Sequence, residues 1–141
     1  MARTVISVED HTEAILALLN TTTINVGDGQ MPRGVNKEEV LPPYAALYPI
    51  VGGTFDGPLS DTQADVSLIY QVTAVGDTRQ QAQVIIDIIR VVMQRENLII
   101  TGRAVRDIRL VTPFSGVIRD DDLPNPLFYG YDRYEVDTTP V

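Results

Sequence analysis

Hydrophobic residues recur along this chain with two different periods, which predict two helices and five strands. In residues 9–20, Ala14, Ile15, Leu18 and Leu19 share one helical face, so this segment is predicted to form a short amphipathic helix. Residues 66–75 instead alternate at period two and give the clearest strand. The turn Gly76-Asp77-Thr78 then introduces a second helix over residues 78–95.

The second helix is more apolar than a helix that packs on a single surface. Its main stripe contains Ala82, Ile85, Ile86, Ile89 and Met93. A second set of apolar residues widens that stripe over most of the circumference: Val84, Ile88, Val91 and Val92. Such a helix must be covered on more than one side. The sheet can cover one side, and either the first helix or a neighbouring subunit must cover the other.

The remaining strands are predicted at residues 23–26, 44–51, 104–112 and 127–136, with a possible short addition at 98–100. Residues 137–141 are expected to form a tail. The order of elements predicts one α+β domain over residues 1–141, with two helices on one face of a mostly antiparallel sheet. Three connections are unusually long for such a domain: residues 27–43, 52–65 and 113–126.

The long loops carry apolar and aromatic residues that a disordered segment would not favour. They either fold back on their own sheet or reach neighbouring subunits. On the second interpretation the chain is a subunit of a ring. The candidate interface residues are then Phe55, Asp56 and Leu59 in the second loop, Arg119, Asp120, Asp121 and Asp122 in the third, and Ile88 and Val91 on the helix.

Composition narrows the possible chemistry. The chain has no cysteine and one histidine, which excludes thiol catalysis, disulfides and a multi-histidine metal site. We expect His11 to be exposed on the first helix and to have no catalytic role. The formal net charge is −8, which disfavours binding to nucleic acid or to an anionic membrane. No segment has the apolar length of a membrane span or of a signal peptide, so we expect the chain in the cytoplasm or in a particle assembled there.

Weak motifs do not change this interpretation. The glycines at 27–29 and 52–53 lack a phosphate-binding pattern, and the run Asp120–Asp122 lacks calcium-loop spacing. We therefore expect no cofactor, no metal and no enzymatic activity, with the aspartates forming a solvated turn. Strand alternation predicts that Arg103 and Arg109 lie on one face of their strand and that Arg106 lies on the other. These arginines pair with carboxylates either on the surface or across a subunit interface.

Three stretches carry a resemblance to a known family. They are GGTFDGPLSDTQAD at residues 52–65, VGDTRQQA at 75–82 and RDDDLPNPLFY at 119–129. In this order and spacing they resemble the tail terminator proteins of long-tailed (siphovirus-type) bacteriophages that infect actinobacteria. The resemblance covers residues 40–136, and the first third of the chain departs from it.

The resemblance implies a structural virion protein located at the head–tail neck. Tail terminators form a ring, expected to be a hexamer, that caps the head-proximal end of the tail tube. The expected partners are further copies of the chain, the major tail tube protein and a head-completion or stopper protein. Genomic DNA is expected to pass through the channel without specific binding. The residues leave two alternatives open: another head–tail connector protein, such as a stopper or adaptor, and a cellular α+β ligand-binding module.

Overall fold

The computed structural model describes residues 7–57, 64–95, 97–112, 116–121 and 126–141. Within these residues the chain forms two helices, which are α1 (Val8–Leu19) and α2 (Arg79–Arg95). It also forms six strands: β1 (Val26–Asp28), β2 (Tyr44–Asp56), β3 (Asp65–Gly76), β4 (Arg103–Thr112), β5 (Ile118–Asp120) and β6 (Leu127–Pro140). The predicted α+β class, with two helices and a mostly antiparallel sheet, is confirmed.

The strands make one sheet in the order β1-β2-β3-β6-β4, and β5 continues beside β6 along the edge that β4 occupies. Only the β1–β2 pair is parallel among the described strands. The long strand β6 is therefore central, with β3 along one side and β4 followed by β5 along the other. This arrangement makes β1 and β4 the two edges of the sheet.

Capping interactions fix the beginnings of both helices. The Ser7 hydroxyl accepts a hydrogen bond from the backbone N–H of Asp10 (3.0 Å) and so caps α1. The Thr78 hydroxyl does the same for the N–H of Gln81 (3.1 Å) before α2. At Gly76 the chain passes so close to α2 that an added Cβ would lie 2.7 Å from the Cβ of Gln81. Glycine is therefore required at this turn.

The core lies between the two helices and one face of the sheet. Residues at even positions in β3 and β6 point towards the helices and are mostly buried, as expected for period-two strands. The predicted main stripe of α2 is buried against them. The core contains Ile15, Leu18, Leu19, Ala45, Leu47, Tyr70, Val72, Ala74, Ile85, Ile86, Ile89, Met93, Leu98, Ile100, Tyr134 and Val136.

Two strands extend beyond their predicted ends. β2 continues to Asp56, through Pro49 and a register shift between Ile50 and Thr54, into the stretch predicted to be the second loop. β6 continues to Pro140 through most of the predicted tail, because its last residues pair with β4. The predicted strand at 98–100 is reduced to a single bridge between Ile100 and Arg103.

A register shift in β4 also overturns the predicted arrangement of its arginines. The shift lies between Val105 and Asp107, so simple alternation fails there. Arg103 bonds to the buried Thr138 on the helix side, whereas Arg109 pairs with Glu135 on the other face. The expectation that Arg103 and Arg109 share a face is wrong for this reason.

Candidate interface surfaces

A second apolar stripe on α2 remains exposed after the chain has folded. It consists of Val84, Ile88 and Val91, whose exposed fractions are 48%, 37% and 46%. Their spacing of four and then three residues aligns them on one side of the helix. Both helices contribute to the core, but α1 does not cover this stripe. Ile88 and Val91, predicted as interface residues, therefore lie on an uncovered part of the surface.

A groove borders the stripe where α2 begins. Its volume is about 370 Å³, and its walls include Ile24, Pro43, Gln81, Val84 and Ile88. Pro43 immediately precedes β2, and Thr78 lies two residues after the end of β3, so the groove lies at the end of the sheet where β2 starts. We call this feature the α2 groove.

Phe55 lies at the opposite end of the sheet. It pairs with Val66 near the end of β2, and about half of its surface is exposed. Because Val66 and Val75 are nine residues apart in β3, at about 3.3 Å per residue the two ends are separated by about 30 Å. Asp56 is described only by its place as the last residue of β2, and Leu59 lies outside the described residues.

The candidates in the third connection lie at the same end as the α2 groove. Arg119 pairs with Phe128 in the ladder between β5 and β6, and Phe128 pairs in turn with Gly76. The Arg119 guanidinium forms an exposed ion pair with Asp121 (2.7 Å) within its own chain. Asp120 ends β5, and Asp122 lies outside the described residues. The structure thus brings Arg119, Asp120 and Asp121 together but places Phe55 far from them.

The first long connection folds partly back on its own chain. The Tyr44 hydroxyl donates to Met31 Sδ (2.9 Å), and Gly34 and Glu38 bond to each other through their backbones. Within this connection Val35 lies in the turn between Gly34 and Glu38 and is fully exposed, and Leu41 is 84% exposed. These two residues are the most exposed apolar side chains of the loop, and they mark a further surface near the start of β2.

Sequence reasoning did not identify the ion pair between Arg90 and Asp132. Arg90 on α2 donates two hydrogen bonds to the fully buried Asp132 carboxylate on β6, at 2.7 and 2.9 Å. These bonds raise the pKa of Arg90, and burial raises that of the neighbouring Tyr134 hydroxyl. The pair fixes α2 over β6. The signal that could have revealed the pair is the aspartate itself, which occupies an even, core-facing position of β6.

His11 is buried, so the prediction that it is exposed is wrong. Its Nδ1–H donates to the Ser7 carbonyl (2.7 Å), which leaves Nε2 as the acceptor for the Thr138 hydroxyl (2.8 Å). Arg103 donates to the same hydroxyl and to the Ala64 carbonyl. Burial and the nearby Arg103 lower the pKa of His11, although the Ser7 carbonyl and Asp10 oppose this shift. These bonds join α1 to β6 and β4.

Within the described ranges no group of three or more histidine and acidic side chains is placed to hold a metal ion. Among those same residues no helix has the length and hydropathy needed to cross a membrane. No protein-family model and no curated protein sequence matches this chain.

Proposed function

We propose that this chain is a tail terminator, a non-catalytic protein that assembles as a ring, expected to be a hexamer, on the head-proximal end of a phage tail tube. The ring stops tube growth and offers a docking surface for the head-completion protein. Its place of action is the neck of the virion, after assembly in the host cytoplasm.

The observation that carries the proposal is the separation of two unlike candidate surfaces on one sheet. An apolar groove lies at one end and an exposed aromatic residue at the other, about 30 Å away. Two different patches are what a closed ring uses, because each subunit contacts one neighbour with one patch and the next neighbour with the other. The resemblance over residues 40–136 supports the more specific assignment to a tail terminator.

Tube termination follows if the two faces of the ring differ. One face would match the end of the tail tube protein, so that the ring adds as the tube's next layer. The opposite face would lack the surface that another tube subunit needs, and it would bind the head-completion protein instead. DNA would pass through the centre of the ring, where the acidic character of the chain would disfavour non-specific binding of DNA.

A cryo-electron microscopy map of the neck of the phage that encodes this chain tests the assignment. We expect six copies in a single ring between the last tube layer and the head-completion protein. If the density that fits this fold lies next to the portal, with no contact to the tube, the chain is an adaptor or stopper and the proposal fails. Absence of this chain from the virion would also contradict the proposal.

A further inference from the structure

Helix α1 is attached to the sheet by two kinds of contact along its length. Its later turns contribute Ile15, Leu18 and Leu19 to the core. Among its first five residues, however, the buried side chains are the polar ones of His11 and Thr12. The start of the helix is therefore held on the sheet by hydrogen bonds rather than by apolar packing. We call residues 7–12 the first turn of α1.

The first turn is joined to the sheet through two side chains. His11 Nε2 accepts a hydrogen bond from the Thr138 hydroxyl of β6 (2.8 Å), and the hydroxyls of Thr12 and Tyr70 on β3 bond to each other (3.0 Å). The Nδ1–H of the same imidazole donates to the Ser7 carbonyl (2.7 Å). His11 thus bonds both to the cap of α1 and to the sheet, so its two bonds link the start of the helix to the central strand.

The surroundings of Nε2 suit an uncharged imidazole. The Thr138 hydroxyl already accepts a hydrogen bond from Arg103 Nε (3.2 Å), so it presents its proton to His11. Within the described residues, Arg103 also bonds to the carbonyls of Ala64 and Thr138, and its buried Nη1 has no hydrogen-bond partner. A proton on Nε2 would turn two donors towards one hydroxyl and add a second positive charge to a buried site.

The charged groups that act on His11 come from two elements. Arg103 on β4 opposes its protonation, and Asp10 on α1 itself favours it. The groups that β3 and β6 present to the first turn, Tyr70 and Thr138, are uncharged hydroxyls. Burial is the largest influence, and together these influences lower the pKa of His11 below its ordinary value of 6.5.

We propose that His11 is a pH-sensitive latch: uncharged, it holds residues 7–12 against the sheet, and its protonation releases them while the later turns of α1 stay in the core. Release allows water to hydrate the charged imidazole. Because the released histidine binds a proton more readily than the held one, opening increases as the pH falls below 6.5. The increase ends once the pH is below the pKa of the held histidine. The latch belongs to the single chain and does not depend on the proposed ring.

Amide hydrogen exchange followed by NMR measures this opening residue by residue. Release of residues 7–12 removes the helical hydrogen-bond acceptors of the Glu13 and Ala14 N–H groups, which lie four residues earlier. The N–H of Ile89, in the buried stripe of α2, serves as the reference for unfolding of the whole chain. Protection factors are compared at pH 7.5 and pH 5.5 after correction for intrinsic exchange rates.

We expect the protection of Glu13 and Ala14 to fall about threefold or more between pH 7.5 and pH 5.5, because opening gains the free energy of protonating His11. At pH 5.5 it should be at least about tenfold lower than that of Ile89. In the control variant His11→Gln, which cannot titrate in this range, the protection of Glu13 and Ala14 should not change with pH.

A second variant, Asp10→Asn, tests the latch without altering a buried side chain. It removes the carboxylate that favours the charged histidine in the held state, and it keeps the backbone N–H that bonds to the Ser7 hydroxyl. The fall in protection between pH 7.5 and pH 5.5 should therefore be steeper than in the natural chain. A fall that is no steeper would contradict the proposed role of charge at His11.

Two further results would overturn the inference. One is equal protection of Glu13, Ala14 and Ile89 at pH 5.5, which would show that His11 becomes exposed only when the whole chain unfolds. The other is a fall of the same size in His11→Gln, which would show that another group controls the opening.

Discussion

His11, Thr138 and Arg103 form a chain of hydrogen bonds that specifies the neutral form of the histidine. The Ser7 carbonyl can only accept, so Nδ1 carries the proton and Nε2 accepts from the Thr138 hydroxyl. Protonation would place a second positive charge near Arg103 and make Nε2 a donor to a hydroxyl that already accepts from Arg103. The folded chain therefore resists protonation of His11.

This network makes stability depend on pH. The folded pKa of His11 is below its ordinary value of 6.5, so the unfolded chain binds the proton more readily. The resulting stabilisation is present above pH 6.5 and is lost as pH falls from there through the folded pKa. The free energy of unfolding in urea should fall more between about pH 7.5 and pH 5.5 for the natural chain than for His11→Gln, which cannot titrate in that window.

The imidazole can also be followed directly by proton NMR, because His11 is the only histidine in the chain. Its pKa should lie below 6.5 in the folded protein. A value at or above 6.5, or equal pH dependence in His11→Gln, would contradict the described network.

At the scale of elements, periodicity predicted the positions of both helices and the buried stripe of α2. It also indicated that Val84, Ile88 and Val91 needed a further partner, and they remain exposed in the folded chain. Strand boundaries were predicted less well, since pairing decides them. β6 reaches Pro140 because β4 pairs with it, and no local pattern in residues 137–141 predicts that pairing.

The sequence pattern also could not predict which face of the sheet some side chains occupy. The irregular register of β4 depends on its ladder with β6, so the opposite positions of Arg103 and Arg109 follow from tertiary structure. His11 was misplaced for a similar reason, because its partner Thr138 is distant in sequence. The candidate interface residues could be chosen from the sequence. That they lie at opposite ends of the sheet could be seen only from the strand pairing.

Two adjacent isoleucines test the division of α2 into buried and exposed sides. Ile89 is almost fully buried, whereas Ile88 is 37% exposed. Ile89→Ala should destabilise the monomer by about 2–5 kcal/mol, because it leaves a cavity in the core. Ile88→Ala should cost about 1 kcal/mol or less, since its site is open to solvent. Urea unfolding at low protein concentration measures both, and equal costs would contradict the placement of Ile88 at an open surface.

At the scale of the whole molecule, the sheet separates two surfaces with different chemistry. The groove end combines the apolar residues of α2 with Arg79, Asp120 and Asp121, and the other end combines Phe55 with the ion pair between Asp65 and Arg106. A head-to-tail contact between copies, as in a ring, would bring these two different surfaces together.

The polar contacts in the third connection lie at the surface and add little to stability. Arg119 and Asp121 pair with each other at the surface, and an exposed pair of this kind contributes only about 0–1 kcal/mol. In a ring they would serve mainly to orient neighbouring subunits or the head-completion protein. Apolar contacts through the exposed stripe of α2 would provide more of the association energy than these ion pairs.

The central claim is that this chain ends tail growth, and tail length is its most direct measure. The gene is deleted from the phage that encodes it, and tails from lysates are measured by electron microscopy with and without the chain supplied in trans. We predict tails of abnormal length, or tails that never join heads, with both defects reversed by the supplied chain. Tails of normal length joined to heads in the deletion would contradict the claim.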